Sequence, residues 1–233
     1  MTKRIICALV ICIVVISVVS IPISAYTFPF KDVKSLSWQY APVKKVYDLG
    51  IMNGVSPARF EPNKKLTRAE AAMILYNIKG NAASYTKYSF KDVKAGAWYA
   101  DAVEWMYRKG ITSGVTKYRF GVNEYITRQD FVTMIYRMYK EDWLRQDDNK
   151  EIYIREKMLY SFKDYADVSE YAMQAMKFSS GVCMIVNFTT PKYHINVAPI
   201  IVGNNGRIEP KALCTRAQAA VIIGNAYQID KYV

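Results

Sequence analysis

The sequence predicts an all-α fold made of three tandem helix–loop–helix repeats packed around a common axis. Three observations carry this prediction. Short motifs recur at a fixed offset of sixty residues: Phe30-Lys31-Asp32-Val33-Lys34 returns as Phe90-Lys91-Asp92-Val93-Lys94, Trp38 as Trp98, Gly54-Val55 as Gly114-Val115, and Thr67-Arg68 as Thr127-Arg128. The segment after each such threonine carries apolar residues at i, i+3, i+4 and i+7, the period of a helix with one buried face. One unit of ~50 residues buries too little apolar surface to stand alone, so the copies must share a core.

The elements follow in chain order. Residues 1–25 read as a signal peptide: Lys3 and Arg4 give a positive start, Ile5 to Val19 an apolar run, and Ser20, Pro22, Ser24 and Ala25 a small-residue stretch with cleavage after Ala25. A spanning helix needs ~20 apolar residues, and Pro22 arrives too early for one. No stable membrane span is therefore expected after cleavage. Neither Cys7 nor Cys12 has the setting of a lipoprotein cysteine.

Repeat one covers residues 28–80. Its first helix is marked by Val43, Val46 and Tyr47 and stops at Gly50, as a left-handed C-cap requires. The second opens on Thr67 with Glu70 three residues on, a capping box, and continues through Ala71, Ile74, Leu75 and Ile78. Residues 81–87 are a short polar link. Repeat two, residues 88–140, repeats the plan with Val103, Met106, Tyr107 and Gly110, then Thr127, Asp130, Phe131, Met134, Ile135 and Met138.

Residues 141–159 form a charged spacer in which Ile152, Ile154, Met158 and Leu159 predict a helix crossing the surface. Repeat three, residues 160–228, opens on Phe162-Lys163-Asp164 and closes with Thr215, Gln218, Ala219, Ile222, Ile223 and Ala226. It carries an insertion at about 184–202. Its turn glycine has no clean counterpart; Cys183-Met184-Ile185-Val186-Asn187 or the more distant Gly203 stands there.

The formal net charge is +12, and losing Lys3 and Arg4 with the signal leaves +10. Outside the cell such a surplus suits an anionic partner: a wall polymer bearing phosphate or carboxylate, a membrane surface or nucleic acid. The basic residues are spread rather than clustered and the chain is read as exported, which points away from nucleic acid. Cys183 and Cys214 read either as one bridge or as buried hydrophobes. A single histidine, His194, is too few for most metal and triad sites, so neither a metal nor a cofactor is expected. A Cys214–His194 nucleophile fits badly, because one lies before a helix cap and the other in the insertion. No stretch outside the repeats remains for a catalytic domain, and no enzyme is expected.

Phe-x-Asp-Val, then Trp, then Gly-Ile-x-x-Gly, then Phe-x-Pro and Thr-Arg-Ala-Glu resembles the S-layer homology (SLH) repeat, over residues 28 to 228 or so. The resemblance implies a pseudo-threefold domain secreted to the surface of mainly Gram-positive bacteria. It implies non-covalent binding, in grooves between neighbouring repeats, to an acidic secondary cell-wall polysaccharide attached to peptidoglycan. In many members the group recognised is a pyruvyl ketal on N-acetylmannosamine.

The residue types present suit that role. Arg68, Arg128 and Arg216 occupy the matching position, where a guanidinium would hold a carboxylate with two parallel hydrogen bonds. Each follows an N-cap, and the helix start with its free N–H groups would also favour an anion. Failing that, each arginine would pair with a carboxylate of the next repeat. Gly54 and Gly114 are turn residues that would also let a sugar approach the backbone. Trp38 and Trp98 serve either as core or as an apolar face for a sugar ring. Asp32 and Asp92, with Asp164, fit helix-start caps or arginine partners, and beyond those sugar ligands.

Copy two departs from the pattern with Gln129-Asp130 for Ala-Glu and Gly121-Val122 for Glu-Pro. Copy three departs more, and its insertion would obstruct a groove; two competent sites are expected, with the third repeat mainly structural. The competing readings are a wall-associated hydrolase and a surface-assembly protein whose main partner is another protein.

Overall fold

The computed structural model describes residues 28–80, 84–144, 150–155, 157–187 and 193–232; the predicted signal peptide lies outside them. The fold is all-α in its frame, with six helices among the described residues: α1 (Tyr40–Asp48), α2 (Arg68–Lys79), α3 (Ala100–Arg108), α4 (Arg128–Trp143), α5 (Met173–Gly181) and α6 (Arg216–Tyr232). The second helix of each unit starts where the sequence places its cap. Thr67 Oγ1 accepts from the Glu70 N–H while the Glu70 carboxylate accepts from the Thr67 N–H, at 3.2 and 2.8 Å. Thr215 and Gln218 form the same reciprocal pair. In the middle unit the box is one-sided: Thr127 caps the Asp130 N–H, but the shorter Asp130 side chain accepts from the Tyr171 hydroxyl instead.

The first helices of units one and two end in a Schellman turn. Gly50 and Gly110 lie at φ +68° and +67°. The Ile51 N–H reaches the Val46 carbonyl and the Ile111 N–H the Met106 carbonyl, both at 2.9 Å. Unit three lacks this stop. Gly181 is the last residue of α5, and the chain passes directly into β2 (Val182–Asn187).

That strand belongs to a three-stranded antiparallel sheet of order β1 (Lys150–Ile154), β2, β3 (Tyr193–Asn196). The sheet corrects the surface helix expected over 141–159. Helix α4 ends at Trp143, residues 150–154 are strand, and three short 3-10 turns, Leu159–Ser161, Tyr165–Asp167 and Glu170–Ala172, lead on to α5. Ile152 and Ile154 are spaced for a strand, one face alternating with the other, and both pack half-buried on the core. The segment expected as an insertion supplies most of β2 and all of β3.

The three units close a ring. Helix α3 packs on α2, α5 on α4, and α1 on α6, so the first unit meets the last. At the centre three backbone hydrogen bonds form a triangle: Leu66 N–H to Cys214 carbonyl, Cys214 N–H to Ile126 carbonyl, and Ile126 N–H to Leu66 carbonyl, at 3.0, 2.9 and 2.9 Å. One shared core fills the interior, including the fully buried Phe60, Phe120, Leu66, Ile126 and Cys214. Cys183 and Cys214 are not bridged to each other. The core reading of the tryptophans is overturned: Trp38 and Trp98 are each 62% exposed, because each sits in the loop ahead of its helix rather than on the packed face.

Candidate functional site: grooves between repeats

Each of Arg68, Arg128 and Arg216 is the first residue of its helix and is buried, with 5–7% of its surface exposed. Each reaches into the next unit of the ring. Arg68 Nε donates to the Phe120 carbonyl at 2.7 Å. Arg128 Nε and Nη2 donate to the Ile208 and Val202 carbonyls at 3.1 and 2.9 Å. Arg216 Nε and Nη2 donate to the Phe60 and Asn53 carbonyls at 2.7 and 2.6 Å. Arg68 and Arg216 also lie over the rings of Phe120 and Phe60. Among the described residues no carboxylate stands within ion-pair distance of these three cations, so pairing with the next repeat's acids does not occur. Burial pulls each guanidinium's pKa down, and the surrounding carboxylates only partly oppose that.

The free helix-start amides expected beside the arginines are in fact used. The Arg68, Arg128 and Arg216 N–H groups donate to the Glu124, Ala212 and Lys64 carbonyls, and the next residues' N–H groups to those of Val122, Pro210 and Pro62. Ring closure therefore consumes the donors that an anion would have taken.

The aspartates are neither helix caps nor guanidinium partners in the first two units. Asp32 accepts from the Phe60 and Glu61 N–H groups, Asp92 from those of Phe120, Gly121 and Val122, and Asp164 from those of Ile208 and Glu209. Burial alone would raise these carboxyls, but the amide donors hold all three below the usual carboxylate range. Each aspartate thus fixes the loop whose carbonyls receive an arginine.

The turn glycine of unit three is Gly203. A side chain at Gly54, Gly114 or Gly203 would strike Phe30, Phe90 or Phe162 and the carbonyl of Arg59, Arg119 or Arg207. All three turns are thus built alike. Val202, beside Gly203, receives Arg128, not Arg216. The altered segment of copy three therefore shapes the groove of Arg128, while Arg216 enters the regular loop of copy one.

Two clefts open at these junctions. One, of about 480 Å³, is lined by Arg68, Gly114, Asp130, Arg137 and Tyr171 among others. The other, of about 350 Å³, is lined by Arg128, Gly203, Glu209, Val221 and Trp38 among others. Each cleft draws on all three units. Trp98 lies outside both and packs edge-on against Tyr99. Tyr171 and Arg137 were not predicted. Arg137 was legible as the tenth residue after Thr127, where the other units have Asn77 and Asn225; Tyr171 has no motif to mark it. Burial pushes the Cys214 thiol up to about 12, which suits a core residue and opposes a nucleophile.

Residues 29–72 and 89–132 match the S-layer homology domain family. The chain is 30% identical over 197 residues to an endoglucanase of Bacillus sp. (strain KSM-635), covering 84% of this chain and 18% of that protein. It is 30% identical over 199 residues to an amylopullulanase of Thermoanaerobacterium thermosulfurigenes, covering 85% and 9%. A surface-layer 125 kDa protein of Lysinibacillus sphaericus is 39% identical over 88 residues, 38% of this chain and 7% of that one. The chain thus spans less than a fifth of each relative. The chain thus carries two S-layer homology domains, residues 29–72 and 89–132, followed by a third unit of the same arginine, aspartate and glycine geometry.

Proposed function

We infer that the chain anchors to the bacterial cell wall without a covalent bond, by gripping an acidic secondary wall polysaccharide in the grooves between its repeats. The observation that carries this reading is the trio of buried arginines whose hydrogen bonds, among the described residues, all go to carbonyls. A buried cation lacking a counter-ion is unfavourable. An anionic group entering the groove offsets that penalty and adds charge-assisted hydrogen bonds. The carboxylate of a pyruvyl ketal matches a guanidinium in plane and charge, and Trp38 offers its exposed face to a sugar ring beside Arg128. The turn glycines keep the groove wall free of side chains.

The surface-layer relative supports a place at the cell surface. The glycanase relatives are matched over 9–18% of their length, which suits a shared attachment module; we read the chain as non-catalytic, with no cofactor. The test is co-sedimentation with purified wall sacculi before and after chemical removal of the secondary polymer. Binding should disappear with the polymer, and binding that persisted would overturn this reading.

A further inference from the structure

The two clefts differ in charge. The Arg68 cleft carries two guanidiniums, Arg68 and Arg137, against one carboxylate, Asp130, which already accepts from the Tyr171 hydroxyl. The Arg128 cleft carries one guanidinium against one carboxylate, Glu209. The second guanidinium of the Arg68 cleft comes from a single helix position. Ten residues after their capping threonines, Asn77 and Asn225 donate to the carbonyls of Ile51 and Pro199, at 3.3 and 2.8 Å, and tie the helix to the neighbouring loop. Arg137 stands there in the middle unit, half-buried, and makes no hydrogen bond or ion pair among the described residues. A guanidinium held at a cleft wall without a protein acceptor has its donors available to whatever occupies the cleft.

Resting on the wall-polymer reading, we propose that the Arg68 cleft takes a glycan segment bearing two anionic groups, one held at Arg68 and the other at Arg137, while the Arg128 cleft takes one. The second group is a carboxylate or a phosphate, since both accept from a guanidinium in the same way. Arg137 is then the residue that sets the charge of the preferred segment. It is not needed for the fold, because neither of its counterparts is charged.

Titration calorimetry on the full chain tests this with three probes. They are a pyruvylated N-acetylmannosamine monosaccharide, a disaccharide carrying a second carboxylate, and a disaccharide carrying a phosphate in its place. One dianionic probe should fill a single tight site per chain, about tenfold tighter than the monosaccharide, the gain expected of one added charge-assisted contact. Which dianion does so identifies the second group. Arg137→Asn should abolish the tight class and leave monosaccharide binding within about twofold, whereas Arg137→Lys, which keeps the charge, should retain it. The proposal is overturned if Arg137→Asn weakens all probes equally, if the tight class survives it, or if Arg137→Lys loses as much as Arg137→Asn. If the monosaccharide binds and neither dianion binds tighter, this inference fails alone. If no probe binds the unaltered chain, the wall-polymer reading fails with it.

Discussion

At the scale of single residues, the loop aspartates hold the frame that the arginines enter. Their folded pKa values are depressed. The stability they contribute is therefore present above the unfolded value of ~3.9 and is lost as pH falls through the lower folded values. Urea midpoints should stay level from neutral pH down to about pH 4 and fall below it. Asp164→Asn should cost about 1–3 kcal/mol at neutral pH, by weakening the acceptor for two buried amides, and should flatten the acid limb of that profile. Gly203→Ala places a methyl group against the Phe162 ring and the Arg207 carbonyl. It should cost about 1–3 kcal/mol as an overpacked site, read as a melting temperature several degrees lower. The aspartates were visible in the sequence as a repeated letter, but their role was not. Their partners are backbone amides 28–45 residues away, and amides leave no mark in a sequence. The tryptophans misled for the opposite reason: a large apolar side chain reads as core, although loop positions escape the packed face.

At the scale of elements, the caps differ in a way that mutation can read. Thr67→Ala removes half of a reciprocal box, and Thr127→Ala removes a lone cap. Each should lower stability by roughly 1 kcal/mol. The measurement that separates them is the double change with the third residue of the helix. Glu70→Ala should couple to Thr67→Ala, while Asp130→Ala should instead couple to Tyr171→Phe, because Asp130 faces that hydroxyl. The starts of α2, α4 and α6 after a threonine and the stops of α1 and α3 at a glycine were legible because each signal is local and steric. The sheet was not. Ile152, Ile154, Met158 and Leu159 satisfy a helical period as well as a strand's, and only pairing with β2, which comes nearly thirty residues later, decides between them. Where α5 loses its left-handed stop, the chain gains the freedom to extend into that strand.

At the scale of the whole molecule, ring closure decides which contacts each repeat owns. Both clefts combine an arginine from one unit, a turn from the next and a side chain from the third, and Val202 beside the altered segment of copy three receives Arg128, not Arg216. The sequence showed three copies and a helix pair in each, but cyclic order is a property of space and has no linear signature. Residues 28–144 alone contain both segments matched to the family. They lack α6, which covers α1, and Cys214, which completes the central triangle. A fragment ending at Leu144 should therefore give a broad, low-amplitude urea transition by circular dichroism, against a single cooperative one for the full chain.

The central triangle also sets a limit on growth. In an open solenoid each added unit finds a free end to stack on. Here the donor of Leu66, the donor of Ile126 and the donor of Cys214 are each matched to the one acceptor within the trio, and α1 and α6 already cover one another. The assembly counts to three and stops. A fourth copy of residues 28–80 joined after α6 would find no vacant seat, and limited proteolysis should remove it while leaving the three-unit ring intact. Further grooves would then have to come from a second closed ring, not from a fourth unit on this one.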